Sequence, residues 1–356
     1  MRKTTKASIY GGCCTLLLVA GALAVAYFAW QESLDALLNV IISFAVSLFL
    51  APVVHELGHI SFADAMKMQV VYTKFFCFKI QVKNKKVRPY FASPFAPDET
   101  QAIPKKGGNM QKRAVWYTLG GIIYSGAMLF VVLAGAVTLS CLGYFKGQLW
   151  GFIPYTAYLF LMNVFPFEYP SGKTDMLVYK GIKKGYDAEQ NMLAAMEIQG
   201  QLYEGKSYAE IDETLYYNVP QLAEDEPLFA VMLDLRYRYH LEKGETDKAA
   251  ECLNRLALLQ IYLPQNEVEK IAGELVYFHA LNGDLERAEA CGQACKTYLE
   301  SETLSAKRIL AAFSSAFGKE EAVQPLKQQA QALLDKELIK GNAKFEEILL
   351  SRIPLT

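Results

Sequence analysis

Metal-binding side chains are scarce in this 356-residue chain, which has only 4 histidines and 7 cysteines. No two cysteines form a CxxC pair, and Cys13 and Cys14 sit inside an apolar run, so a disulfide framework and a cysteine-built zinc site are both disfavoured. That usage fits a soluble part exposed to a reducing compartment. There is no glycine-rich phosphate loop and no basic cluster with interleaved aromatics, which removes nucleotide and nucleic-acid binding from consideration. Charge is missing from long stretches of the first half, whereas the second half has ordinary soluble composition. The net charge of −1 conceals this split.

What is present is apolar sequence, 52% of the chain, with mean hydropathy +0.12. A bilayer core about 30 Å thick needs roughly 20 apolar residues in a helix. Ile9 to Trp30 meets this without a charge. A second run goes from Leu37 to Val54 and continues in helix-compatible sequence to Met66. The third is Val115 to Tyr144, and the fourth, shorter, is Leu149 to Phe165. Lysine and arginine precede the first span (Arg2, Lys3, Lys6), crowd the segment between the second and third, and follow the fourth (Lys173, Lys180, Lys183, Lys184). Only Lys146 marks the turn before span four. This alternation predicts cytoplasmic termini for a multi-pass protein of the cell membrane. A cleaved signal peptide is the rival reading of the first span, but its apolar stretch exceeds a typical h-region.

Between spans two and three, Val70–Val82 is rich in β-branched and aromatic residues. Lys83–Lys86 can turn it into Val87–Ala92, which predicts a β-hairpin. Pro94, Pro97 and Pro104 predict an irregular continuation.

The end of span two carries His55-Glu56-Leu57-Gly58-His59, an HExxH motif. Four residues apart on a helix, the two imidazoles share one face and can ligate one zinc ion, with Glu56 beside the open position to handle the catalytic water. Composition this poor in histidine gives the pattern by chance on the order of once in several hundred such sequences. A polar trio at the end of an apolar span also needs a partner, a metal or water. Catalytic zinc usually takes a third protein ligand. His240 and His279 lie far downstream, so a carboxylate after span four is expected, and both Glu168 and Asp175 qualify.

These residues resemble the site-2 protease family of intramembrane zinc metallopeptidases, over roughly Leu37 to Lys184. Asn163 and Pro166 match the family's Asn-x-x-Pro, and Gly121-Ile122-Ile123-Tyr124-Ser125 is similar to its small-residue stretch. Asp175 matches its aspartate, although Met176 replaces a common glycine and the Asn-to-Asp gap is longer. The resemblance implies one Zn2+ per chain held by His55, His59 and Asp175, with Glu56 as general base and acid and Asn163 positioning substrate. It also implies a strand in Val70–Val82 that pairs with an unfolded substrate segment, and a membrane protein or peptide as substrate. The alternatives are another membrane HExxH peptidase with a glutamate ligand, or a non-catalytic adaptor.

From Gly185 onward the pattern is helical. Tyr239–Ala249 aligns with Phe278–Ala288, with Gly244 and Gly283 39 residues apart, and a weaker third copy begins at Gly318. This is similar to tetratricopeptide repeats, which present surfaces for partner proteins. His240 and His279 occupy equivalent positions, which predicts turn or packing roles, and Cys291 and Cys295 read as core. The expected fold is thus mostly α: a transmembrane anchor over 1–36, a membrane-embedded core over 37–184 with a small β-hairpin in its loop, and a soluble helical domain over 185–356.

Overall fold

The computed structural model describes residues 2–83, 86–93, 98–143, 147–169 and 172–354. The turn expected at 84–85, Pro94, Pro97, Tyr144 and Lys146 lie outside them. The fold is mostly α, with one small four-stranded sheet and a two-stranded ribbon. The chain divides into two compact units, residues 1–103 with 109–189, and residues 104–108 with 190–356.

The first unit contains α1 (Arg2–Glu32), α2 (Leu34–Ala65), α3 (Met110–Cys141), α4 (Gln148–Val164) and α5 (Asp175–Lys184). Thr5–Glu32, Leu34–Ala65 and Met110–Cys141 are long and apolar enough to cross a membrane. At 17 residues, α4 spans about 26 Å, less than a bilayer core. Ser33 separates α1 from α2 by capping the latter, its side chain accepting from Ala36 N. The residues expected to form a separate anchor pack with the rest, and Tyr10 Oη donates to Leu161 O of α4 at 2.8 Å.

Helices α2 and α3 cross in backbone contact. A Cβ added at Gly58 would lie 2.2 Å from Gly120 O, and one at Gly120 would lie 2.5 Å from Gly58 O. Small residues thus permit an approach that no side chain allows.

The segment read as one hairpin is larger. Strands β1 (Met68–Phe75), β2 (Phe78–Lys83), β3 (Lys86–Phe91) and β4 (Glu99–Pro104) form a sheet in the order β3-β2-β1-β4. Val70–Val82 is therefore two strands rather than one. The chain reverses at Phe76, which has φ +52° and whose amide donates to Asp98 Oδ1 at 2.7 Å. Part of the stretch expected to be irregular is β4, with Pro104 tolerated as the last residue of an edge strand. Because β1 and β2 are both interior, neither offers a free edge, which corrects the expected pairing of Val70–Val82 with substrate. Lys74 is buried in β1 against Asp98, at 3.1 Å.

The second unit contains α6 (Asp187–Glu204, begun in the first), α7 (Thr214–Tyr217), α8 (Pro227–Lys243), α9 (Thr246–Leu258), α10 (Gln265–Leu281), α11 (Leu285–Ala294), α12 (Lys296–Leu299), α13 (Leu304–Ala316), α14 (Glu320–Leu334) and α15 (Lys340–Ser351). Helices α8/α9, α10/α11 and α13/α14 pair as hairpins. Their turns share one construction. Gly244, Gly283 and Gly318 have φ +75°, +74° and +65°, and the next amide bonds back to the carbonyl of His240, His279 or Ser314. The turn at Gly318, where the third, weaker copy is expected, is thus built like the other two. The two histidines reach the acid after their turn glycine, His240 Nδ1 to Glu245 at 2.7 Å and His279 Nδ1 to Asp284 at 3.6 Å. All seven cysteines are free; Cys295 is buried and Cys291 half-buried.

Candidate metal centre

His55 and His59 lie on the last turns of α2 and are buried. Their Nε2 atoms are 3.3 Å apart. Asp175, the first residue of α5, brings Oδ2 to 3.3 Å from His55 Nε2 and 3.4 Å from His59 Nε2. Among the described residues this is the one group of three or more histidine, cysteine or acidic side chains whose ligand atoms converge in this way.

Three observations bear on whether this triangle fits a cation. First, the Tyr117 carbonyl meets His59 Nδ1 at 2.9 Å. A carbonyl only accepts, so Nδ1 carries a hydrogen, and in the neutral imidazole that a metal requires Nε2 then presents its lone pair to the triangle. His55 Nδ1 meets Ser125 Oγ at 2.9 Å, a hydroxyl able to accept in the same way. Second, Asp175 Oδ2 is buried and takes no hydrogen bond of ordinary geometry, despite two ring nitrogens so close. An unsatisfied buried carboxylate oxygen aimed at two lone pairs is costly without a positive charge between them. Third, a four-coordinate cation with nitrogen and oxygen donors at about 2.0–2.1 Å separates neighbouring donors by about 3.3–3.4 Å, which matches the three edges found here. The residues fit such an ion, and three donors leave its fourth corner open.

Burial works against ionisation of Asp175, and only in their protonated state do the His59 and His55 imidazoles hold the carboxyl below its ordinary range. The local chain explains how the acid arrives. The residues that lengthen the Asn163-to-Asp175 interval form a ribbon of β5 (Glu168–Tyr169) and β6 (Gly172–Lys173), pairing Glu168 with Lys173 and Tyr169 with Gly172. Thr174 closes its neck. The Thr174 hydroxyl donates to Phe165 O at 2.8 Å and accepts from Phe167 N and Leu177 N, while Thr174 N donates to Phe167 O. The ribbon therefore returns the chain to the end of α4, and the same threonine caps the helix that begins with Asp175.

Glu56 is buried beside the two histidines in sequence. Its Oε2 accepts from Thr100 Oγ1 of β4 at 2.6 Å. Gly121 lies flat against the imidazoles, since a Cβ there would be 2.5 Å from both His55 Cε1 and His59 Nε2. Two expected residues stay apart. Glu168 is exposed on β5 and outside the cluster, which leaves Asp175 as the acid brought to the histidines. Asn163 is half-buried on α4, and its amide donates to Leu159 O one turn back at 3.2 Å. Thr100, Ser125 and Thr174 hold the site in place but were not singled out from the sequence. Ser125 falls in the small-residue stretch, and Thr174 precedes the aspartate. Thr100 carries no sequence signal.

Comparison with protein families, characterised proteins and solved structures gives no match to this chain.

Proposed function

We propose that this chain is an intramembrane zinc metallopeptidase of the site-2 protease type, cutting a membrane-spanning or membrane-proximal peptide near the cytoplasmic face. The observation that carries the reading is the convergence of His55, His59 and Asp175 at metal-ligand spacing, with Glu56 as the adjoining buried acid. Bound zinc supplies a Lewis acid that lowers the pKa of a water toward neutrality and polarises the scissile carbonyl. Glu56 takes the proton from the attacking water and returns it to the leaving amine. Thr100 occupies Oε2, so Oε1 is the atom through which that proton passes. Peptide substrate lies along the outer edge of β4, the strand that ends the sheet on the Glu56 side, and Asn163 contributes from α4.

The same reading makes α4 a short fourth crossing and both termini cytoplasmic, supported by the alternation of basic residues between spans. The helical hairpins of the second unit serve as a docking surface for a protein partner.

The test uses purified, detergent-solubilised full chain. Zinc per chain is expected to be near one in wild type and in Glu56→Gln, and lost in His59→Ala and Asp175→Ala. Cleavage of fluorescein-labelled casein and of a single-span peptide in detergent should disappear in Glu56→Gln. Full cleavage by Glu56→Gln rules the mechanism out. Stoichiometric zinc in Asp175→Ala removes the aspartate from the site.

A further inference from the structure

We infer that Thr100 is a positioning residue for Glu56, the middle of a hydroxyl relay from Thr73 through Thr100 that clamps one carboxylate oxygen and leaves the other for proton transfer. The inference rests on the peptidase reading above.

The direction of each hydrogen bond follows from the chemistry of its ends. An ionised carboxylate only accepts, so the hydrogen in the 2.6 Å contact between Thr100 Oγ1 and Glu56 Oε2 belongs to Thr100. Having donated its one hydrogen, Thr100 Oγ1 can only accept at its 2.8 Å contact with Thr73 Oγ1, so Thr73 donates. Two hydroxyls thus align toward one oxygen, and each bond polarises the next. The relay is anchored. Thr73 is buried on β1, an interior strand, in register with Ile80 of β2. Thr100 is also held by its main chain, whose carbonyl accepts from Tyr117 Oη of α3. The Tyr117 carbonyl in turn meets His59 Nδ1. The sheet, α3 and α2 are therefore joined through Thr100 at the residue that would move the proton.

The burial of Glu56 sharpens the consequence. A carboxylate in water can rotate and find new partners. One with 3% exposure has few to find, so its orientation is set by the donor supplied to it. Thr100→Val keeps the shape of the side chain, removes that donor and leaves Oε2 without a partner.

The experiment compares wild type, Thr100→Val, Thr100→Ser and Thr73→Val on labelled casein, with zinc content and thermal melting measured on the same preparations. Thr100→Val is expected to lower kcat about 10- to 100-fold, with KM and zinc per chain unchanged. Thr100→Ser should restore most of the rate, and Thr73→Val should show a smaller loss. A thermal double-mutant cycle between Thr100→Val and Glu56→Ala reads the contact without activity, and non-additive melting shifts are expected. Additive shifts, or full kcat in Thr100→Val, overturn the relay while leaving the peptidase reading intact. A wild type that binds zinc but cleaves neither casein nor the single-span peptide overturns the peptidase reading, and this inference with it.

Discussion

The narrowest tolerance in the candidate site belongs to a residue without a side chain. Gly121 presses against both imidazoles, and the Cβ of an alanine would overlap them by roughly an ångström relative to ordinary contact. Moving α3 away to relieve this would open the backbone contact between Gly120 and Gly58 one residue earlier. Gly121→Ala should therefore push His55 and His59 out of convergence and cost about 1–3 kcal/mol through overpacking. Zinc content and melting of the solubilised protein check this. Retention of one zinc per chain by the alanine variant would show that the rings can give way. His55, Glu56 and His59 are legible in the sequence because four residues of helix fix their relation by geometry alone. Gly121 and Ser125 come into view only as a small-residue stretch, since what they touch depends on how two helices cross. Thr100 is hidden entirely, as a lone hydroxyl in a segment whose prolines point to irregular chain.

At the scale of elements, the three long apolar helices are readable from the length and composition of their runs, and the helical hairpins because each repeats a glycine turn. The break between β1 and β2 escapes notice because Phe75-Phe76-Cys77-Phe78 contains no turn-forming residue, and the reversal is held by Asp98 from beyond β3. The longer Asn163-to-Asp175 interval is the element-scale feature that sequence alone leaves unexplained. Its ribbon closes on Thr174, whose hydroxyl makes three hydrogen bonds around the neck and cap. Thr174→Val removes these bonds with little change in volume, so Asp175 should lose its fixed approach to the histidines. Metal affinity is expected to fall about 10- to 100-fold, and Thr174→Ser should recover it. Competitive titration of zinc against a chromophoric chelator measures both. Equal affinities for wild type and Thr174→Val would mean that the ribbon closes without the hydroxyl.

For the whole molecule the question is whether two compact units also behave as two units in stability. The second is organised around a charge it cannot expose. Arg308 of α13 has 0% exposure, and it reaches Glu346 of α15 through Nε at 2.6 Å and Glu274 of α10 through Nη2 at 2.5 Å. Tyr237 of α8 donates to the other oxygen of Glu274 at 3.0 Å, so four helices meet at one ion group. The long helices of the first unit bury few side chains against each other and offer apolar surface outward. Arg308→Ala leaves two carboxylates buried without their counter-charge, which typically costs about 3–5 kcal/mol. If the units are stabilised separately, calorimetry of the full chain should show two transitions, of which only one moves to lower temperature in Arg308→Ala. Zinc per chain should stay at the wild-type value. A single transition that shifts as a whole, or metal lost together with the helical hairpins, would instead mean that the centre depends on the second unit for its integrity. The hairpins would then act as a structural support for the site.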